Sequence, residues 1–240
     1  MSPLTEIVLY TVAAGACIPL GGALATFEHI SPKWLEQEFR HFIVAFGGGV
    51  LLAAVALVLV PEGMASLSGS THGVALLFAG GVLFFSIERI LGLRKREAPQ
   101  FTAMLLDYIP ETLAIGGIFA AGAASAPLLA VLIGLQNLPE GFNGYRELHR
   151  ITGYRHGRIL WMMAALVPIG PALGIIGWIY LSESPQVTAA VMLVAAGGIL
   201  YLIFQDIAPQ SRLRRHWAPP LGAVAGFSLG LLGQSLLVMD

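Results

Sequence analysis

The chain has 240 residues, of which 56% are hydrophobic and only 11% are charged. Soluble globular proteins carry about 25% charged residues, so this composition excludes an ordinary soluble domain and indicates a polytopic membrane protein. The net charge of −1 gives no reason to expect a nucleic-acid partner, and the lone cysteine, Cys17, excludes an intramolecular disulfide.

Eight apolar segments are long enough to cross a bilayer, since about 20 apolar residues in a helix span the hydrocarbon core. We predict an all-α fold that forms one transmembrane domain over residues 1–240, with eight spans joined by short connections. The predicted spans cover about 4–27, 41–65, 72–91, 101–121, 126–147, 159–181, 187–208 and 221–239.

All 13 lysine and arginine residues fall on the odd-numbered connections between these spans. By the positive-inside rule, those connections face the cytoplasm. The sequence therefore predicts a multi-pass protein of the cytoplasmic membrane with both termini on the outer side. The residues are Lys33, Arg40, Arg89, Arg94, Lys95, Arg96, Arg146, Arg150, Arg155, Arg158, Arg212, Arg214 and Arg215.

Predicted helices two and seven share a pattern of small residues followed by a proline about a dozen residues later. Helix two has Gly47-Gly48-Gly49 and then Pro61, and helix seven has Gly197-Gly198 and then Pro209. The two helices cross in opposite directions, and inverted repeats are typical of transporters. Small residues also occur wherever membrane helices pack closely, so the pattern leaves both explanations open.

Two polar segments interrupt the apolar helices four and five. Helix four carries Asp107 and Glu111, and helix five carries Gln136 and Glu140, and the members of each pair are four positions apart. Each pair therefore lies on one face of its helix. A carboxylate at membrane depth costs about 2.5 kcal/mol or more, so these groups point to a pathway for something polar.

The short connection near Ala124 makes helices four and five antiparallel neighbours. Glu111 and Gln136 lie 13 and 12 residues from Ala124, and Asp107 and Glu140 lie 17 and 16 residues away. At 1.5 Å per residue, the polar groups meet at two depths, roughly 18–20 Å and 24–26 Å from the turn. The sequence predicts a polar box of two facing layers between these helices.

Pro110 and Pro139 release the carbonyls of Leu106 and Leu135 from helical hydrogen bonds. With the carboxylates and the amide of Asn137, these oxygens make a hard-ligand site suited to a divalent cation. Structural polarity is the alternative, since a single amide in a membrane helix usually joins two helices.

Other polar groups carry less weight in the sequence. We expect Glu62, Gln205 and Asp206 near span ends, where water reaches them, and Tyr108 to act either as a gate or in packing. None of the six histidines falls within the box, so the sequence does not support an imidazole zinc site in the core.

These features together resemble the ZIP (Zrt/Irt-like) family of divalent metal transporters. Eight spans, outer termini and paired Pro-Glu motifs carry the resemblance, which covers most of the chain. The closest match is Gln136-Asn137-Leu138-Pro139-Glu140-Gly141, which is similar to the family's helix-five motif. The segment ending in Val60-Pro61-Glu62 and the glycine-rich start of helix seven also fit.

The resemblance implies a 3+2+3 arrangement in which an inverted repeat relates the first three helices to the last three. It implies uptake of a divalent metal cation (Zn, Fe or Mn) across the bilayer into the cytoplasm, with the metal as substrate and a homodimer as a possible assembly. Carried over position by position, the metal-site residues are Asp107, Glu111, Gln136, Asn137 and Glu140.

The chain also departs from the family pattern, and it is a divergent member by this comparison. Asp107-Tyr108 stands where the helix-four motif usually begins His-Asn, and Thr112 replaces the usual glycine. No glutamate precedes Pro168 on helix six, and the long histidine-rich connection after helix three is missing. We therefore expect one reduced site, and the loss of imidazole favours harder ions such as Mn²⁺ or Fe²⁺.

Two other classes of function stay open from the sequence. The protein could keep the fold but no longer transport metal, and act as a metal sensor or a partner-binding membrane subunit. An intramembrane enzyme is not expected, because no Ser–His or Cys–His pair lies at membrane depth.

Overall fold

The structure is a computed structural model, and it describes residues 2–27, 33–67, 71–91, 99–181, 183–213 and 217–239. The described residues are helical throughout, apart from turns, and contain no strand. This confirms the all-α class. Arg94, Lys95, Arg96, Arg214 and Arg215 lie outside the described residues.

The helices follow the predicted segments along the chain. They are α1 (Pro3–Thr26), α2 (Lys33–Ala53), α3 (Val60–Ser66), α4 (Thr71–Leu91), α5 (Pro99–Ala120), α6 (Ala126–Thr152), α7 (His156–Ala164), α8 (Ile169–Leu181), α9 (Pro185–Leu202), α10 (Ala208–Gln210) and α11 (Leu221–Met239). Two π-helical segments, Ala54–Leu59 and Ile203–Ile207, join α2 to α3 and α9 to α10.

Five of the described helices are long and apolar enough to cross a membrane. They cover Pro3–Thr26, Glu36–Ser66, Thr71–Ile90, His156–Leu181 and Pro185–Gln210. The chain is therefore a membrane protein. Helix α11 contains a shorter apolar stretch, Leu221–Leu237. Helices α5 and α6 carry the polar box and are not among the five, so the count of eight spans stays a prediction.

Each π-helical segment lies immediately before a proline-containing turn. The N–H of Val60 bonds to the carbonyl of Val55, and the N–H of Ala208 bonds to the carbonyl of Ile203. Proline lacks a donor and clashes with the carbonyl four residues back, and a wider turn relieves this conflict without ending the helix. The wider turns before the prolines of helices two and seven thus change which side of the helix the preceding residues face.

Helices α5 and α6 occupy the interior and the others surround them. Helix α6 packs against α1 and α2, α5 packs against α8 and α9, and α5 and α6 contact each other. Helices α4 and α11 lie at the periphery, against α9 and α2 respectively. Their outward faces carry exposed apolar side chains such as Phe78, Val82, Leu232 and Leu236, as expected for a lipid-facing surface.

Glycines allow four of these helix pairs to touch backbone to backbone. At each crossing, a Cβ atom on the glycine would overlap a carbonyl oxygen of the neighbouring helix. Such close approach is the usual way in which membrane helices gain packing energy. The pairs of glycine and carbonyl residue are Gly49–Ala223 and Gly226–Phe46 (α2 and α11), Gly80–Val194 and Gly197–Leu77 (α4 and α9), Gly21–Leu138 and Gly141–Ile18 (α1 and α6), and Gly116–Gly174 and Gly177–Leu113 (α5 and α8).

Neighbouring glycines of α4 provide a test of this packing. A Cβ at Gly80 would overlap the backbone of Val194, whereas a Cβ at Gly81 would meet only the Gly197 oxygen, at 3.5 Å. We expect Gly80→Ala to destabilise the protein by about 1–3 kcal/mol, the usual range for overpacking. Gly81→Ala should leave stability unchanged or raise it slightly, since alanine favours helix. Thermal unfolding in detergent compares the two, and equal unfolding temperatures would contradict the packing.

Candidate metal centre

A fully buried polar contact joins α5 to α6. The Gln136 Nε2 donates to both carboxylate oxygens of Glu111, at 2.8 Å to Oε1 and 2.6 Å to Oε2. Both side chains are fully buried. The depth count along the two helices predicted this pair, which is present because the short turn at residues 121–125 fixes the register of both helices.

The second layer of the predicted box faces a cavity. Asp107 and Glu140 lie one helical turn from the Glu111–Gln136 pair and line a space of about 70 Å³ between α2, α5, α6, α9 and α10. The two side chains are close enough to share a hydrogen bond if one of them holds a proton. Two ionised carboxylates at this separation would repel, so the pair needs a shared proton or a bound cation.

Buried oxygens without a hydrogen-bond donor are concentrated at this site. Among the described residues, the buried side-chain atoms without a partner are Asp107 Oδ1, Tyr108 Oη, Gln136 Oε1, Asn137 Oδ1 and Glu140 Oε2. All five lie on the two segments Asp107–Tyr108 and Gln136–Glu140. Buried polar atoms are normally satisfied, and a group of unpaired oxygen acceptors is the environment that a hard cation or ordered water completes.

Asn137 is oriented away from the cavity. Its Nδ2 donates to the Ala14 carbonyl at 2.9 Å, and this contact joins α6 to α1. Asn137 is fully buried but is not among the residues that line the space at Asp107 and Glu140. Its position in the sequence motif gave no indication of this orientation, because an amide can bind a neighbouring helix as readily as a cation.

Tyr108 fills a space between α1 and α8. Its ring is fully buried, and a Cβ placed on Gly15 or on Gly170 would overlap its hydroxyl oxygen. The hydroxyl therefore lies against both outer helices, which also contact each other directly there, since a Cβ on Gly170 would overlap the Thr11 carbonyl of α1. This is the packing role left open by the sequence, and Tyr108 does not line the carboxylate cavity.

Asp206 is a site residue that the sequence reasoning missed. It lies near the end of the Pro185–Gln210 segment, as expected, but it is half-buried and also lines the cavity with Asp107 and Glu140. Its charge acts on Asp107. Asp206 lies on the π-helical segment before Ala208-Pro209, where the altered register turns it inward. Asn143 and Gln210, also not predicted, complete the polar lining.

Several carboxyl groups therefore act on one another in an apolar surrounding. Asp107 interacts electrostatically with Glu111, Glu140 and Asp206. None of the described arginines, lysines or histidines lines this cavity. Uncompensated buried charges are strongly unfavourable, so protons or a cation must neutralise the group. The arrangement can exchange protons for a metal ion, as carboxylate sites do on binding.

The individual ligands are not gathered into a closed metal cage. Among the described residues, no group of three or more His, Cys, Asp or Glu side chains is placed to hold a metal ion together. The oxygens instead lie in two layers, with Asp107, Glu140 and Asp206 at the cavity and Glu111 with Gln136 one turn deeper. A cation at this site would be bound by few protein ligands at a time.

The comparisons with known proteins leave the chain without a family assignment. No protein-family model matches the sequence, and the search of the curated proteins returned no match. The resemblance to ZIP transporters therefore stays a prediction from the motifs of helices four and five.

The pairing of Glu111 with Gln136 can be measured by a double-mutant cycle. We expect Gln136→Met and Glu111→Met each to destabilise the protein by about 1–3 kcal/mol, because each leaves a buried polar group unpaired. The double variant should lose less unfolding free energy than the two single variants together, and the difference, the coupling energy, should be about 0.5–3 kcal/mol. Unfolding in detergent gives the four values, and additive losses would show that the contact does not hold the helices together.

Proposed function

We propose that the protein is a divergent ZIP-like transporter that moves a divalent metal cation across the cytoplasmic membrane. The observation that carries the proposal is a cavity lined by three carboxylates, two of which, Asp107 and Glu140, each keep a buried oxygen without a hydrogen-bond partner. Intramembrane carboxylates at this density are characteristic of ion or proton pathways. The metal ion is the substrate and no resident cofactor is invoked.

The packing of the helices supports the inverted repeat and the 3+2+3 arrangement that the resemblance implies. Three pairs of residues have the same spacing along the chain: Gly49 and Gly197, Pro61 and Pro209, and the contact residues Phe46 and Val194. Gly49 meets the carbonyl of α11, and its counterpart Gly197 meets that of α4. Both π-helical segments also fall at corresponding positions.

The same relation extends to the central helices. Glu111 and Gln136 have the same spacing along the chain as Leu113 and Leu138 and as Gly116 and Gly141. These residues make matching contacts, α5 with α8 and α6 with α1. Glu111 and Gln136 thus occupy equivalent positions and face each other where a pseudo-two-fold axis would pass, which is where transporters of this kind bind substrate.

The donor set favours hard or borderline cations. Carboxylate and amide oxygens suit Mn²⁺, Fe²⁺ and Zn²⁺ with water completing the coordination, whereas soft ions prefer thiolates. In the proposed cycle the ion enters from the outer side, passes the Glu111 layer and reaches Asp107, Glu140 and Asp206. Rocking of the outer helices against α5 and α6 then releases it to the cytoplasm.

As a second candidate function, the protein is a membrane subunit that binds metal but no longer transports it. The observation that favours it is the Tyr108 hydroxyl, which lies against Gly15 of α1 and Gly170 of α8. Helices that must slide or rock past each other are hindered by a side chain locked between them. Tight metal binding without flux into vesicles would select this function over transport.

The first functional test removes the two glutamates. We expect Glu111→Ala with Glu140→Ala to abolish saturable uptake of radiolabelled Mn²⁺ or Zn²⁺ in reconstituted vesicles, because each layer loses its principal carboxylate. The Gly81→Ala protein serves as a folded control. Undiminished uptake by the double variant would refute the site assignment.

Asp206 can be tested against a carboxylate outside the cavity. We expect Asp206→Asn to raise the half-saturating metal concentration about tenfold, which corresponds to about 1.4 kcal/mol of lost binding. Glu62→Gln is the matched control, since Glu62 accepts a hydrogen bond from the Ser125 hydroxyl at 2.6 Å and does not line this cavity. Equal effects of the two changes on uptake would remove Asp206 from the site.

A further inference from the structure

A second, larger cavity lies beside the carboxylate cavity, with the opposite charge. Its volume is about 870 Å³, and it shares Val44, Asn143 and Gln210 with the carboxylate cavity. We call it the basic cavity. The charged and aromatic residues that line it are Arg40, His41, Tyr145, Arg146, Glu147, His149, Arg150 and His156.

The lining carries more positive than negative charge. Glu147 is the one acidic member among the described residues, and its Oε2 accepts a hydrogen bond from the Phe101 N–H at 3.2 Å. Glu36 is shared between two arginines, at 2.8 Å from Arg146 and 3.6 Å from Arg40. Arg150 is exposed and forms no ion pair with the described residues. At least one guanidinium is therefore left without a counter-charge.

The aromatic side chains of the cavity wall contact one another. The His149 Nδ1–H donates to the Tyr154 carbonyl at 3.0 Å, and the His149 and His156 rings stack with their centroids 4.8 Å apart. The Tyr145 hydroxyl hydrogen-bonds to Nδ1 of His156. Among the described residues these imidazoles belong to no group that could hold a metal ion. The positive lining also disfavours a cation.

We propose that this cavity binds a phosphate-bearing anion through Arg40, Arg146 and Arg150. A guanidinium presents paired N–H donors that match two phosphate oxygens, and it keeps its charge at any physiological pH. The volume lies within the range of small-molecule sites. Basic pockets between membrane helices commonly take phospholipid headgroups, and a soluble polyphosphate offers the same chemistry.

The proposal does not rest on the transport of metal ions. The basic cavity is defined by its own lining and charge, and its ligand would bind whether or not the carboxylate cavity carries a cation. Where both cavities are occupied, the anion would offset the positive charge of the arginines. That charge would otherwise repel a cation that leaves the carboxylate cavity past the shared residues.

Binding to the purified full-length chain tests the proposal. Two probes, dioctanoyl phosphatidic acid and inorganic pyrophosphate, are titrated in uncharged detergent by isothermal calorimetry. We expect the wild type to bind at least one of them. Arg150→Gln should weaken that binding about fivefold or more, and Arg146→Gln with Arg150→Gln at least tenfold. The single variant removes no ion pair among the described residues, so it keeps the test valid if the double variant misfolds.

Arg155→Gln is the matched control, because Arg155 is exposed on the same connection and does not line the cavity. Its affinity for the probe should be within about twofold of the wild-type affinity. Binding of phosphatidic acid alone identifies a lipid headgroup as the ligand, and binding of pyrophosphate alone identifies a soluble anion. Binding of neither probe, or an equal loss in Arg155→Gln, overturns the proposal.

Discussion

The contact between the Gln136 amide and the Glu111 carboxylate is the constraint on which the rest of the structure depends. A buried carboxylate in an apolar helix is tolerated only where donors or counter-charges meet it. Gln136 supplies one nitrogen to both oxygens, so α5 and α6 must face each other at this depth. The facing of Asp107 and Glu140 one turn away follows, since both helices are fixed in rotation and register.

The surrounding helices meet this constraint through close backbone contact. At the four glycine-mediated crossings, helices approach until a carbonyl occupies the place of a side chain. Such contacts leave little freedom in rotation, so α1 and α8 are held against α6 and α5 with their buried faces inward. The same packing positions α2 and α9 so that Gly47, Gly48 and Asp206 reach the cavity. The site is therefore a product of helix packing rather than of a loop.

Much of this arrangement was predictable from the sequence, and the failures have identifiable causes. The Glu111–Gln136 pair could be predicted because the connection at Ala124 is short and both helices keep 3.6 residues per turn up to that depth. Asp206 was missed because the π-helical segment Ile203–Ile207 breaks that period just before Pro209. The orientation of Asn137 depends on the position of the Ala14 carbonyl on another helix, which no local pattern contains.

The two adjoining cavities carry opposite charge, and this contrast limits how each can be filled. Among the described residues, the carboxylate cavity is lined by Asp107, Glu140 and Asp206 and by no basic residue, so it attracts cations or protons. The basic cavity presents three arginines against Glu147 in its lining and Glu36 beside Arg40 and Arg146, and the surplus of positive charge attracts anions. Because Asn143 and Gln210 belong to both, a cation in the first cavity and an anion in the second would be neighbours in a partly desolvated space, where charges are poorly screened. Under the two proposals, filling one cavity would therefore favour filling the other.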